Sequence, residues 1–200
     1  MIYSILGYGK GKTESAIGCT VRALENGDNV LFVQFLKDGK SSELTFFKDK
    51  MFTNIDVLTG DIEKITLPSN ITTVDKFKAQ VLFTDMCKGI ECKQYQLLVA
   101  DELLPAIDMG LITIEQFEYL VNKCNAEDID LYTTGRVRQR SLRLKIAELS
   151  DICTDAHCVK HSYNAHCSKC NKDYKHHYTY CPDCSALLEK SRPVKKGRDY

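Results

Sequence analysis

The chain has no tryptophan, no surplus charge of either sign and no apolar run approaching the length of a membrane span. Lysine plus arginine and aspartate plus glutamate number 27 each, so no global field draws the protein to nucleic acid or to an anionic membrane. A membrane helix needs about 20 consecutive apolar residues, and the apolar stretch at 1–6 is also too short for a secretory signal. Neither an internal repeat nor a low-complexity segment is present. Ten cysteines would suggest disulfides in an exported chain. Without an export signal they point instead to a reducing compartment and metal ligation, and the chain reads as cytoplasmic.

What is present starts at the first residue. Residues 1–13, MIYSILGYGKGKT, run from an apolar strand into a glycine-rich loop ending in Gly11, Lys12 and Thr13. This is the strand–loop–helix of a P-loop. Gly7, Gly9 and Gly11 let the backbone turn so that successive N–H groups face an anion. Lys12 adds a point charge for the outer phosphates, and the Thr13 hydroxyl suits Mg²⁺. Leu6 stands where the usual G-x-x-x-x-G-K-[ST] pattern has its first glycine.

Beyond the loop, helical and strand patterns alternate. Ala16, Ile17, Thr20, Val21 and Leu24 are spaced three and four apart, and Asn26-Gly27 ends that helix. Residues 30–33, 55–58, 96–100 and 129–132 read as strands, the continuously apolar ones suited to burial on both faces of a parallel sheet. Helices are expected at 43–50, at 74–87 with Phe77, Val81, Leu82 and Met86 on one face, and at 141–149. Thr113 to Gln116 has capping-box spacing and opens another helix with Ile114, Phe117, Leu120, Val121 and Cys124 inward. A loop falls at 68–70. The pattern, in a chain that is 44% hydrophobic, implies an α/β domain with a mostly parallel sheet flanked by helices and its site at the strands' carboxyl ends.

Residues 97–102, LLVADE, put Asp101 and Glu102 at the end of a buried strand, where a Walker B acid belongs. Either carboxylate could serve Mg²⁺, directly or through water. The next strand ends in Thr134, Gly135 and Arg136, which brings Arg136 to the same phosphates, while Arg138, Arg140 and Arg143 read as a solvated face.

Near the carboxyl terminus, Cys167-x-x-Cys170 and Cys181-x-x-Cys184 have the spacing of a zinc ribbon. Each C-x-x-C turn presents two thiolates, and two turns complete a tetrahedron. Lys169, Lys172, Asp173, Pro182 and Asp183 are compatible turn residues. His166, His176 and His177 read as solvated or supporting groups, not ligands. Cys153 and Cys158 are expected in or near the core, and Cys19, Cys87, Cys92 and Cys124 as small apolar side chains. Zinc would stabilise a segment too short to fold alone.

Taken together, the run from GYGKGKTES to VQFLK, then LLVADE, TTGR and CVKHSYN, resembles the ATP:corrinoid adenosyltransferases, RecA-like P-loop enzymes, across about residues 2–163. The closing VKKGRDY is similar to that family's tail, and Leu6 is usual in it. With the cysteine spacing, the chain divides into three expected parts: a P-loop domain (1–163), a zinc ribbon (165–188) read as an insertion into that scaffold, and a tail (189–200). The resemblance implies transfer of the 5′-deoxyadenosyl group of ATP to the Co(I) of a corrinoid, with triphosphate leaving, and a homodimer. Carried over by position, Gly7, Tyr8, Gly9, Lys10, Gly11, Lys12, Thr13, Glu14, Gln34 and Arg136 surround ATP, and Thr13, Asp101 and Glu102 hold Mg²⁺. Lys12, Thr13 and Glu102 would act in catalysis. The chain departs from the family at Tyr8, where the family has Asn, and at Glu14, where it has a hydroxyl residue. Family members also set an aromatic pair including Trp against the corrinoid after the third strand, where this chain reads LTGDIEKITLPSN. A substitute lid would come from Phe46, Phe47, Phe52, Tyr174 or Tyr178.

Two other readings compete. A thymidine-kinase-like nucleoside kinase also joins a P-loop domain to a zinc-binding element. A nucleotide-gated binding protein would use the ribbon and the basic tail (Lys190, Arg192, Lys195, Lys196, Arg198) to grip a partner.

Overall fold

The computed structural model describes residues 1–49, 52–60, 62, 71–92, 94–157, 164–175, 180–181 and 183–190. The loop expected at 68–70, Cys158 with residues 159–163, His176, His177, Tyr178, Pro182 and the tail from 191 lie outside the described residues. The chain divides after His157 into two compact units.

The first unit alternates strand and helix. Its strands are β1 (Ile2–Leu6), β2 (Val30–Gln34), β3 (Ile55–Thr59), β4 (Leu97–Asp101), β5 (Asp130–Gly135) and β6 (Ile152–Asp155). They form one sheet in the order β3-β2-β4-β5-β1-β6, with every pairing parallel. Crossover helices must therefore cover both faces. These are α1 (Lys12–Glu25), α2 (Ser42–Asp49), α3 (Thr73–Cys92), α4 (Leu103–Asp108), α5 (Ile114–Ala126) and α6 (Arg140–Leu149). Central strands β2 and β4 are buried along their whole length, as their unbroken apolar sequences require. One face packs Leu31, Val33, Leu98 and Ala100 with α3 and α5; the other packs Val30, Phe32 and Val99 with α1 and α2. No described helix is long and apolar enough to cross a membrane.

Several expectations are corrected. Helix α3 runs on to Cys92, and its inward face is Ala79, Leu82, Phe83, Met86 and Ile90. Phe77 and Val81 are exposed, at 69% and 41%. Phe77 lies two residues from Ala79, about 200° around the helix, so the two cannot share a face. Its spacing to Val81 is helical, but the stripe is on the wrong side. Cys153 is exposed on β6, the edge strand, and Cys92 is exposed at the end of α3; Cys124 alone among the four smaller-residue candidates is fully buried. Phe47 is core, its ring tilted against Phe32 at 5.3 Å, while Phe46 meets Phe47 edge-on and Phe52 in turn packs on Phe46.

Helix α4 has no counterpart in the sequence reading. It leaves β4 through Glu102, a non-glycine residue at φ 59°. Pro105 sits in its first turn, where a missing N–H costs nothing because those donors have no intrahelical acceptor. The capping box at α5 forms as expected, Thr113 Oγ1 accepting from the Gln116 N–H at 3.2 Å and Gln116 accepting from the Thr113 N–H at 2.9 Å.

The second unit contains β7 (Asn164–Cys167), β8 (Lys172–Lys175) and β9 (Glu189–Lys190), antiparallel in the order β8-β7-β9. An isolated bridge joins Tyr180 to Leu187. Cys167, Cys181 and Leu188 form its small buried cluster.

Chemical unfolding should distinguish the two faces of α3. Leu82→Ala, on the buried face, is expected to cost about 2–5 kcal/mol, whereas Phe77→Ser should change stability by no more than about 0.5 kcal/mol.

Candidate functional site

At the carboxyl ends of β1, β2, β4 and β5 the sheet gathers a single polar cluster around Asp101. Its carboxylate is fully buried and accepts four hydrogen bonds. Thr13 Oγ1 (2.9 Å) and Thr134 Oγ1 (2.6 Å) donate to Oδ1, and Gln34 Nε2 and Lys37 Nζ (3.1 Å each) donate to Oδ2. A second layer holds two of these donors. Glu43 accepts from Lys37 Nζ and from Gln34 Nε2, both at 3.0 Å, and Ser41 donates to Gln34 Oε1 at 2.9 Å. Sequence reasoning missed Ser41 and Glu43. Their only signal was position, just after a strand end that already carried Gln34 and Lys37.

Burial works against the charge on Lys37, yet Asp101 and Glu43 outweigh it and hold the ammonium above its ordinary value. Burial likewise pushes Glu43 up, but a backbone N–H, Gln34 and Lys37 together draw it down from 4.5 to about 2. Glu102 behaves oppositely. Burial first, and Asp101 second, raise its carboxyl above the ordinary range against the pull of Lys37, Lys12 and Arg136. Its backbone N–H donates to Thr134 Oγ1 at 3.1 Å, and its carboxylate makes no hydrogen bond among the described residues. Of the two acids in LLVADE, Glu102 is the one with free oxygens.

The glycine loop is braced from one side. A Cβ on Gly7 would collide with the Asp155 side chain and the Ala156 carbonyl, and one on Gly9 would lie 2.7 Å from that carbonyl. The Gly9 N–H donates to Ala156 O at 2.6 Å, and the Ala156 N–H donates to Leu6 O at 2.7 Å. One loop donor is thus committed to the end of β6, not turned toward an anion. Gly11, at φ 101°, caps α1. Lys12 Nζ donates to Gly9 O at 2.5 Å. Burial lowers its pKa, Arg136 adds to the effect, and Glu102 opposes it.

The Arg136 guanidinium lies over the Tyr8 ring, 5.2 Å from its centre. Lys10 and Glu14 face solvent and pair with each other at 4.0 Å. Of the arginines after β5, Arg140 is exposed as expected, while Arg138 and Arg143 are tied to acids. Arg138 pairs with buried Asp108 at 2.8 Å, and Arg143 pairs with Asp155 at 2.6 Å. Both partners are distant in sequence, so no local pattern announces them.

In the second unit, the sulfurs of Cys167, Cys170, Cys181 and Cys184 all lie within 4.8 Å of one another. The Cys167–Cys184 and Cys170–Cys181 separations are 3.6 and 3.8 Å. A tetrahedral site with Zn–S bonds near 2.3 Å has edges of about 3.8 Å, so the donor set fits that ion. The Cys170 N–H donates to Cys167 Sγ at 3.4 Å. Asn171 (φ 51°) and Ser185 (φ 56°) supply the left-handed residue that closes each turn, positions the sequence reading had not singled out.

A family model described as ATP:corrinoid adenosyltransferase BtuR/CobO/CobP matches residues 1–171. An uncharacterized protein of Nostoc sp. (strain PCC 7120 / SAG 25.82 / UTEX 2576), all2391, is 30% identical over 161 residues, covering 72% of this chain and 40% of that protein. The chain therefore spans about two-fifths of the length of the curated relative it matches.

Because the Glu43 carboxyl is held lower in the folded protein than in the unfolded chain, its contribution is complete above about pH 4.5 and lost as pH falls toward 2. Glu43→Gln should flatten the acid limb of a urea-stability profile by about 1–2 kcal/mol, allowing for solvent screening. An unchanged acid limb would contradict the assigned network.

Proposed function

Since the chain belongs to the ATP:corrinoid adenosyltransferase family, we propose that it transfers the 5′-deoxyadenosyl group of ATP to the Co(I) centre of a corrinoid. Cobalt forms a bond to the 5′ carbon as the bond from that carbon to the triphosphate oxygen breaks. The electron pair of the broken bond leaves on triphosphate, and cobalt supplies the pair for the new one. No protein nucleophile is needed.

The observation that carries this reading is the gathering of Lys12, Arg136 and Glu102 around a glycine loop at one end of a parallel sheet. Among the described residues, Lys12 and Arg136, with Lys10 in the loop, supply cations for a triphosphate, because Lys37 is committed to Asp101 and Glu43. Their charge grows in value as the leaving group gains its own. Glu102, with free oxygens and a desolvated carboxyl, and Thr13 would hold Mg²⁺, which neutralises charge developing on triphosphate. Asp101 orients Thr13 for that task instead of offering an open oxygen. Tyr8 lies on the guanidinium of Arg136 and stands where the family's Asn would be.

With ATP, Mg²⁺ and chemically reduced cob(I)alamin or cobinamide, the expected products are the adenosylated corrinoid and inorganic triphosphate, followed by the Co(I) to Co(III)-alkyl absorbance change. Glu102→Ala should lower the rate about 100-fold, the scale of removing one preorganised electrostatic group. Conversion of ATP to ADP by a nucleoside, with no corrinoid reacting, would replace this reading with the kinase one.

The cysteine geometry supports one structural Zn²⁺ held by Cys167, Cys170, Cys181 and Cys184. Metal analysis of protein purified without added zinc should find about one equivalent, as a closed four-thiolate site demands. Cys181→Ser should lose it; full occupancy in that variant would refute the assignment.

A further inference from the structure

Helix α4 joins the site at its start and the segment after β5 at its close. At its start is Glu102, and at its close is Asp108, whose side chain is 2% exposed. Asp108 Oδ1 accepts the backbone N–H groups of Arg138 and Gln139 at 3.0 and 3.1 Å, and Oδ2 accepts from Arg138 Nε at 2.8 Å. Gln139 Nε2 returns a bond to the Asp108 carbonyl at 3.3 Å. Between these ends, Pro105 lies so close to Gly135 that a Cβ there would run into the proline ring. Gly135 also has φ 139°. Arg136 is therefore flanked by two points at which α4 fixes the chain, Gly135 before it and Arg138-Gln139 after it.

We propose that Asp108 is a positioning residue for Arg136, and that α4 is a bracket fixing the arginine relative to Glu102. The inference rests on the reading of Arg136 as a triphosphate-binding cation. The physical need is clear. A long cationic side chain in an unsupported loop samples many positions, and misplacement by about 1 Å can cost two orders of magnitude in a reacting geometry. Three hydrogen bonds from the 138–139 backbone and the Arg138 side chain to one buried carboxylate remove that freedom. Arg138, 42% exposed on its side chain, neutralises the buried charge while its backbone takes the orientation Asp108 sets. Glu102 leaves the same short helix at its other end, so acid and arginine move as one piece.

The test is Mg·ATP affinity by calorimetry in the full chain, with Asp108→Asn, Arg136→Ala and the double variant. Asp108→Asn keeps an oxygen for the backbone donors but loses the charge. It should weaken binding about ten-fold, and in the Arg136→Ala background by less than about two-fold, the coupling expected of residues acting through one another. In a Lys12→Ala background the ten-fold loss should persist in full. An equal loss with and without Arg136 would mean that Asp108 only stabilises the fold, and would overturn the proposal. Unchanged affinity in Asp108→Asn, with Arg136→Ala clearly weakened, would also overturn it. If Arg136→Ala itself binds Mg·ATP normally, the role given to Arg136 fails and takes this inference with it. Should Asp108→Asn not fold by circular dichroism, Arg138→Gln carries the same cycle, with an expected loss of about three-fold that vanishes without Arg136.

Discussion

A single buried carboxylate ties the site together. Asp101 is wholly removed from water, and an ionised group there is tolerable only if its lone pairs are filled. The four donors come from four separate stretches: Thr13 from the loop–helix junction, Gln34 from β2, Lys37 from the turn after it, and Thr134 from β5. Satisfying one side chain therefore fixes four chain segments against β4. The second layer extends the constraint, because Glu43 and Ser41 fasten Gln34 and Lys37 to the start of α2. Removing the carboxylate would take a partner from a buried amide, two hydroxyls and an ammonium, so the site and the carboxyl end of the sheet would loosen together.

The parts of this arrangement that sequence makes legible are those whose cause is local. Continuous apolar runs at 30–33 and 97–100 can only be strands covered on both faces. The glycine loop, the Asp101-Glu102 pair and the paired C-x-x-C turns each carry their chemistry within a few residues. What escaped has distant causes. The Gly9 amide meets Ala156, far along the sequence at the end of the neighbouring strand β6, and Arg138 finds its anion on α4. Phe77 and Val81 obey helical spacing as well as Leu82 and Met86 do, and only the angle to Ala79 decides which stripe faces inward. Helix α4 is six residues long with a proline inside, a combination that reads as a breaker unless the proline is known to fall in the first turn.

Asp101 and Glu102 are adjacent and chemically near-identical, yet their environments part them. The strand carries Asp101 inward onto four donors. The left-handed turn at Glu102, φ 59°, swings the next carboxylate out of that ladder, where burial raises its proton affinity and no hydrogen bond offsets it. Such a conformation is strained for a residue with a side chain, and strain of this kind persists only where surrounding contacts enforce it. Here the enforcement is the Glu102 N–H on Thr134 and the start of α4 directly behind. The electrostatic result follows from subtraction. The chain as a whole is neutral, and Lys37 is absorbed by Asp101 and Glu43. Among the described residues Lys12 and Arg136 then face the Glu102 carboxylate, and the burial of Lys12 together with the charge of Arg136 weakens the hold of Lys12 on its proton. Two cations that repel each other near a loop, with one acid in their field, are poorly matched to each other and well matched to a polyanion with a divalent ion, which would relieve the repulsion and occupy the acid's oxygens in one event.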